Sequence, residues 1–194
     1  MANEINRILK LFADLQHGDC WIGVNFKDAL HEVNAAKALE HISGSTNNIW
    51  QLVSHVIYWR TSVVNRLNGS NDIPPFPDFL LPREGNEANW KQTLHDLEAA
   101  YHSLRNAIHS ISEDHLDKPS PNPSQTYYQL IMGCLQHDAY HLGQILLLKK
   151  TARCNERKDI MMPTRSTFGL CVRAGWSRRG GGHRGGQPGL SVQG

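Results

Sequence analysis

Long apolar runs are missing from this 194-residue sequence. No stretch approaches the roughly 20 consecutive apolar residues of a bilayer-spanning helix, so the pattern predicts a soluble, cytoplasmic protein with no membrane partner. The opening stretch, MANEINRILKLFADLQ, sets acidic residues inside its apolar pattern and lacks the unbroken apolar segment of a secretion signal. Cysteine pairing is missing as well. Cys20, Cys134, Cys154 and Cys171 show no CxxC spacing, and a chain of this length does not need disulfide staples. Neither Cys20 nor Cys134 has an activating partner in the sequence, which argues against both as nucleophiles. There is also no Gly-rich phosphate motif, no Ser-His-Asp arrangement and no convincing period-two alternation, which argues against the commonest nucleotide and acyl-transfer chemistries and against a sheet.

Charge is present but unevenly placed. Residues 1–151 carry 12 Lys and Arg against 16 Asp and Glu, a balance of −4, whereas residues 152–194 carry 8 against 2, a balance of +6. The division predicts a mildly acidic domain over 1–151 and a basic, disordered tail over 152–194. Nothing in the acidic part calls for nucleic acid as a partner. The tail segment Arg178-Arg179-Gly180-Gly181-Gly182-His183-Arg184 resembles an RGG-type element, but its abrupt onset also suits an altered reading frame or a misplaced gene end.

Helical periodicity fills the rest. Ile5, Ile8, Leu9, Phe12 and Leu15 define an amphipathic helix over 3–17, closed by Gly18. Phe26–Leu30 and Val33–Leu39 read as shorter pieces, with Ser43, Gly44 and Ser45 supplying a turn and a cap. A long helix over about 46–67 has Ile49, Leu52, Val53, Val56, Trp59, Val63, Val64 and Leu67 as its core face, and Asn68-Gly69 ends it. Four prolines among Phe76, Phe79, Leu80 and Leu81 make residues 70–86 a packed crossover loop, either a wall over a site or packing at the bundle end. Trp90, Leu94, Leu97, Tyr101, Leu104 and Ile108 repeat at four and three residues along a helix over about 87–111. His95, His102 and His109 follow seam residues seven apart, too far to share an ion, and read as a solvated flank. The fourth long helix is expected from Asn122 and Pro123 to Lys150. Four such helices predict an all-α, up-down four-helix bundle.

The chemistry lies in that fourth helix. His137 and His141 are one turn apart on the stripe shared by Leu130, Cys134, Ile145 and Leu148, so two imidazoles face the core. Such a pair is either satisfied by hydrogen bonds to Tyr127, Tyr140 or Gln144, or it holds a divalent metal ion. His55, at the inward edge of its own helix, is the best-placed third ligand. Three protein ligands would leave a coordination position open, as catalytic zinc sites do. Asp138 and Gln144 are candidates to orient an imidazole or a bound water. Asp138 turns about 100° from His137, which favours an ordinary surface or inter-helix contact for it.

Two segments carry a resemblance. Asn48-Ile49-Trp50-Gln51-Leu52-Val53-Ser54-His55-Val56-Ile57-Tyr58-Trp59-Arg60 and Gln136-His137-Asp138-Ala139-Tyr140-His141-Leu142-Gly143-Gln144-Ile145 resemble the two signature helices of the DinB-like superfamily, which includes the YfiT-like metal-dependent hydrolases. The likeness extends from about Glu4 to Lys150. It implies a DinB-like four-helix bundle in which His55, His137 and His141 bind one divalent ion, zinc or nickel first, with iron or manganese as alternatives. It also implies a metal-dependent hydrolase or a thiol-dependent S-transferase acting on a small molecule, with a low-molecular-weight thiol as co-substrate in the second case, and association as a homodimer. The alternative is a non-catalytic stress-response or ligand-binding bundle with a structural metal. The resemblance assigns no catalytic residue beyond the metal ligands.

Overall fold

Asparagine starts five of the six α-helices among the described residues. The computed structural model describes residues 3–42 and 44–161, with side chains placed through Ala152. In it, Asn3, Asn25, Asn34, Asn48 and Asn86 each accept a backbone N–H in the first turn of α1 (Glu4–His17), α2 (Phe26–Leu30), α3 (Ala35–Leu39), α4 (Ile49–Leu67) and α5 (Glu87–His109). A side-chain oxygen at this position satisfies a donor that the helix cannot satisfy itself. The α4 cap is reciprocal: Asn48 Oδ1 accepts from the Gln51 N–H at 2.9 Å, and Gln51 Oε1 accepts from the Asn48 N–H at 3.1 Å. Ser43 lies outside the described residues; the cap is at Asn48 and not at Ser45, and α4 begins three residues later than its apolar pattern suggests. Gly69 closes α4 at φ +86°, a backbone conformation that favours glycine.

The last helix, α6 (Tyr127–Met161), departs from expectation at both ends. Its start is not Asn122. Pro119, Pro121 and Pro123 keep that stretch out of the helix, and Pro119 instead forms an antiparallel bridge with Thr126. Asn122 Oδ1 accepts from the Ser124 N–H and hydroxyl, making a turn of its own. Thr126 and Gln129 then cap α6 reciprocally, at 3.2 Å and 2.8 Å. At the other end the helix passes Lys150 and runs to Met161, because no glycine or proline interrupts the sequence before Pro163. The rest of the basic tail lies outside the described residues.

Among the described residues there are six α-helices, a single 3-10 turn at Glu113–His115 and no strand. The four long helices form the bundle: α4 packs against α5 and α6, and α1 packs against the same two. This ring places α1 and α4 on one diagonal, and α2 and α3 fill the long connection between them. No described helix is long and apolar enough to cross a membrane.

Two apolar clusters stack along the bundle. One gathers Phe26, Trp50, Val53, Trp90, Leu97, Leu142 and Ile145; the other gathers Phe12, Tyr101, Leu104, Ile108, Leu130 and Ile131. Trp50 is fully buried although it falls off the core stripe read from the sequence. Its indole meets that of Trp90 at 5.0 Å and donates to Thr93 Oγ1 at 2.9 Å, which satisfies the polar end. His95, His102 and His109 are exposed along α5, the solvated flank expected of them.

Candidate metal centre

Packing of α4 against α6 brings His55, His137 and His141 together. Each offers one nitrogen, and the three atoms lie within 4.8 Å of one another. Ring centroids are 4.9 Å apart for His55 and His137, 4.5 Å for His55 and His141, and 4.3 Å for His137 and His141. His55 Nε2 and His137 Nε2 face each other at 3.1 Å. Ligands held at about 2.0–2.1 Å around a tetrahedral ion stand roughly 3.4 Å apart, so this contact is close to the spacing an ion imposes.

Two of the rings are oriented from behind. His55 Nδ1 meets Asp78 Oδ1 at 2.6 Å, and that same oxygen accepts the Phe79 N–H at 2.8 Å. His141 Nδ1 meets Gln144 Oε1 at 2.7 Å, while Gln144 Nε2 donates to the Tyr140 hydroxyl at 3.0 Å. With Nδ1 donating, Nε2 of each ring is a lone pair turned into the group, the arrangement that metal-binding histidines require. The expected hydrogen bond to Gln144 is thus present, yet it prepares His141 for a ligand and does not satisfy its inward nitrogen.

Burial favours the neutral form of His141 and of His55. It lowers the pKa of His141 to about 4, against a raising contribution from Gln144 and further lowering by His137 and His55. Burial also lowers that of His55, although Asp78 opposes it by hydrogen bond and charge. Neutral nitrogens are the form that binds a cation. Cys134, on the same inward stripe, is buried and its thiol is pushed well above the ordinary range by desolvation, so it packs as a small apolar side chain.

The crossover loop forms one wall. Phe79 stacks on His55 with centroids 4.0 Å apart and planes at 14°, and it holds φ +52° to do so. A bulky residue at positive φ is strained, and its position against a candidate ligand makes the strain local to the site. Trp59 flanks the other side, 5.8 Å from His137. A separate cavity of about 480 Å³ opens between α4, α5 and this loop, lined by Ser54, Ile57, Thr61, Phe76, Leu80, Thr93 and Asp96 among others, with none of the three histidines in its wall.

With the geometry in place, comparison with known proteins is decisive at one level. A family model, that of the DinB superfamily, matches residues 24–145. The chain belongs to the DinB superfamily. No curated protein and no solved structure matches it. The DinB match spans all three histidines and the crossover loop but leaves out α1 and the end of α6.

Two participants, Asp78 and Arg60, are not apparent from the sequence of this DinB-superfamily chain. Asp78 was hidden by its proline-rich surroundings, although a lone acid between Pro77 and Phe79 is a signal in itself. Arg60 is 1% exposed and does not stand out by residue type, whereas Phe79 belongs to the loop expected as a wall. The spacing Val56, Arg60, Val63 does put Arg60 on the core stripe of α4. Asp138 proves to be an inter-helix contact and not a surface one: it is fully buried and bonded to Arg60 at 2.8 Å.

Proposed function

We propose that this DinB-superfamily protein is a metal-dependent enzyme, a hydrolase or a thiol-dependent S-transferase, with His55, His137 and His141 as ligands of a divalent ion. Zinc or nickel suits a set of neutral imidazoles best, and iron or manganese are alternatives. The observation that carries the reading is the convergence of three imidazoles, two of them with Nδ1 already engaged by Asp78 and Gln144. Held by His55, His137 and His141, such an ion would leave one position for water or a thiol and would supply Lewis-acid activation of it near neutral pH. Asp78 and Gln144 fix the tautomers of His55 and His141 from behind, and Phe79 and Trp59 pack against two sides of the group. The same proposal includes a small-molecule substrate, a low-molecular-weight thiol for the transferase case, and association as a homodimer.

Metal analysis tests this directly. Protein purified without chelator should hold close to one equivalent of ion, and His137→Ala and His141→Ala should each lose it. Protein free of zinc, nickel, iron and manganese, or variants with unchanged content, would contradict the assignment.

A second reading has its own support. Both carboxylates beside the triad are already engaged, Asp78 with His55 and Asp138 with Arg60, which suits a metal that stabilises the bundle or binds a ligand without turnover. In that case the histidine variants lose thermal stability, while hydrolysis and thiol-transfer assays find no activity in the wild type.

A further inference from the structure

The third imidazole lacks what the other two have. His137 Nδ1 is buried without a hydrogen-bond partner, and so is Asp138 Oδ1. The two atoms stand 3.7 Å apart. Asp138 has little freedom to turn elsewhere, because its Oδ2 accepts from Arg60 Nε at 2.8 Å and the residue is fully buried. Arg60 is fixed in turn: its Nη1 donates to the Leu97 carbonyl at 3.3 Å, and its guanidinium lies 5.1 Å from the centre of the Phe26 ring.

We propose that Asp138, anchored by Arg60, is the positioning residue for His137, accepting its Nδ1–H so that Nε2 is the lone pair offered to the ion. This rests on the metal reading above. Tautomer arithmetic explains the orphaned pair. His55 Nδ1 donates to Asp78, so His55 Nε2 is a lone pair. The 3.1 Å contact between the two Nε2 atoms then needs the proton on His137 Nε2, which leaves His137 Nδ1 as a bare lone pair opposite a carboxylate oxygen. Two acceptors do not approach, and the gap stays open. When His137 Nε2 serves as a ligand, the ring proton belongs on Nδ1, and closing the gap by about 0.8 Å gives an ordinary hydrogen bond. No proton is gained or lost by the ring. Asp78, Gln144 and Asp138 would then supply one oxygen to each of the three histidines, fixing every ring from behind.

The test compares zinc binding by the wild type and by Arg60→Met/Asp138→Leu. Replacing a buried ion pair with apolar residues of similar volume is often neutral or stabilising, so the double variant should keep its helical spectrum and cooperative melt. Its zinc affinity, measured by chelator competition, should fall 10–100-fold. Wild-type affinity in a folded double variant would overturn the proposal while leaving the metal site standing. If the variant does not fold, ring nitrogen NMR of the zinc-loaded wild type decides the matter. A His137 Nδ1 proton in slow solvent exchange supports the assignment, and one in fast exchange, or metal on Nδ1, overturns it. A wild type that takes up no zinc, nickel, iron or manganese removes the metal reading itself, an outcome distinct from equal affinities.

Discussion

Asp78 shows how a residue acquires meaning from its neighbours. In the sequence it is one acid in a proline-rich loop; in the structure its Oδ1 holds both the His55 ring and the Phe79 N–H. Removing it frees His55 to rotate and relaxes the strained Phe79 backbone. Asp78→Ala should lower metal affinity by about 10–100-fold, the usual range for losing a ligand's hydrogen-bond partner, with little effect on folding because the carboxylate is partly exposed. Chelator competition on the variant checks this; unchanged affinity would show that the packing of Phe79 alone orients the ring. His55, His137 and His141 were legible beforehand because helical spacing states which face a residue occupies. Asp78, in an irregular loop, has no period to announce it, and Arg60 is not legible either, because a charged residue on a core stripe needs a partner that only the fold supplies.

Helix existence was legible and helix ends were not. Apolar periodicity located α1, α4, α5 and α6, since burying one face is what holds each in place. Ends depend on single hydrogen bonds, and the sequence offers several candidates for each. Thr126 displaced Asn122 at the start of α6 because the alternating prolines leave Asn122 in a turn, and Asn48 displaced Ser45 before α4. The reciprocal cap at Asn48 and Gln51 also sets the register that carries His55 inward. Asn48→Ala should therefore destabilise the fold by about 1 kcal/mol, readable as a shift in the urea midpoint with an unchanged slope. Trp50, two residues on and fully buried, belongs to another class. Trp50→Ala leaves a cavity beside Trp90 and removes the N–H that Thr93 Oγ1 accepts, and should cost about 3–5 kcal/mol by the same measurement.

At the scale of the molecule, the bundle forces imidazoles into an interior that disfavours their charged form, and this links stability to pH. His141 titrates near 4 in the folded chain and near 6.5 when unfolded, and His55 is shifted in the same direction. Between those values the unfolded chain binds more protons than the folded one, so stability falls as pH drops from about 6.5 toward about 4 and is insensitive to these groups above pH 7. Chelator-treated protein should accordingly lose urea resistance steadily between pH 7 and pH 5. His141→Leu should flatten that slope, because it removes the group with the larger shift. A bound ion adds to the effect. It binds the folded state alone, contributing about 2.7 kcal/mol when free metal is 100 times Kd, and protons compete for the same nitrogens. The gap between metal-loaded and chelator-treated melting curves should therefore be wide at pH 7.5 and narrow toward pH 5. A gap independent of pH would place the metal on ligands other than these three histidines.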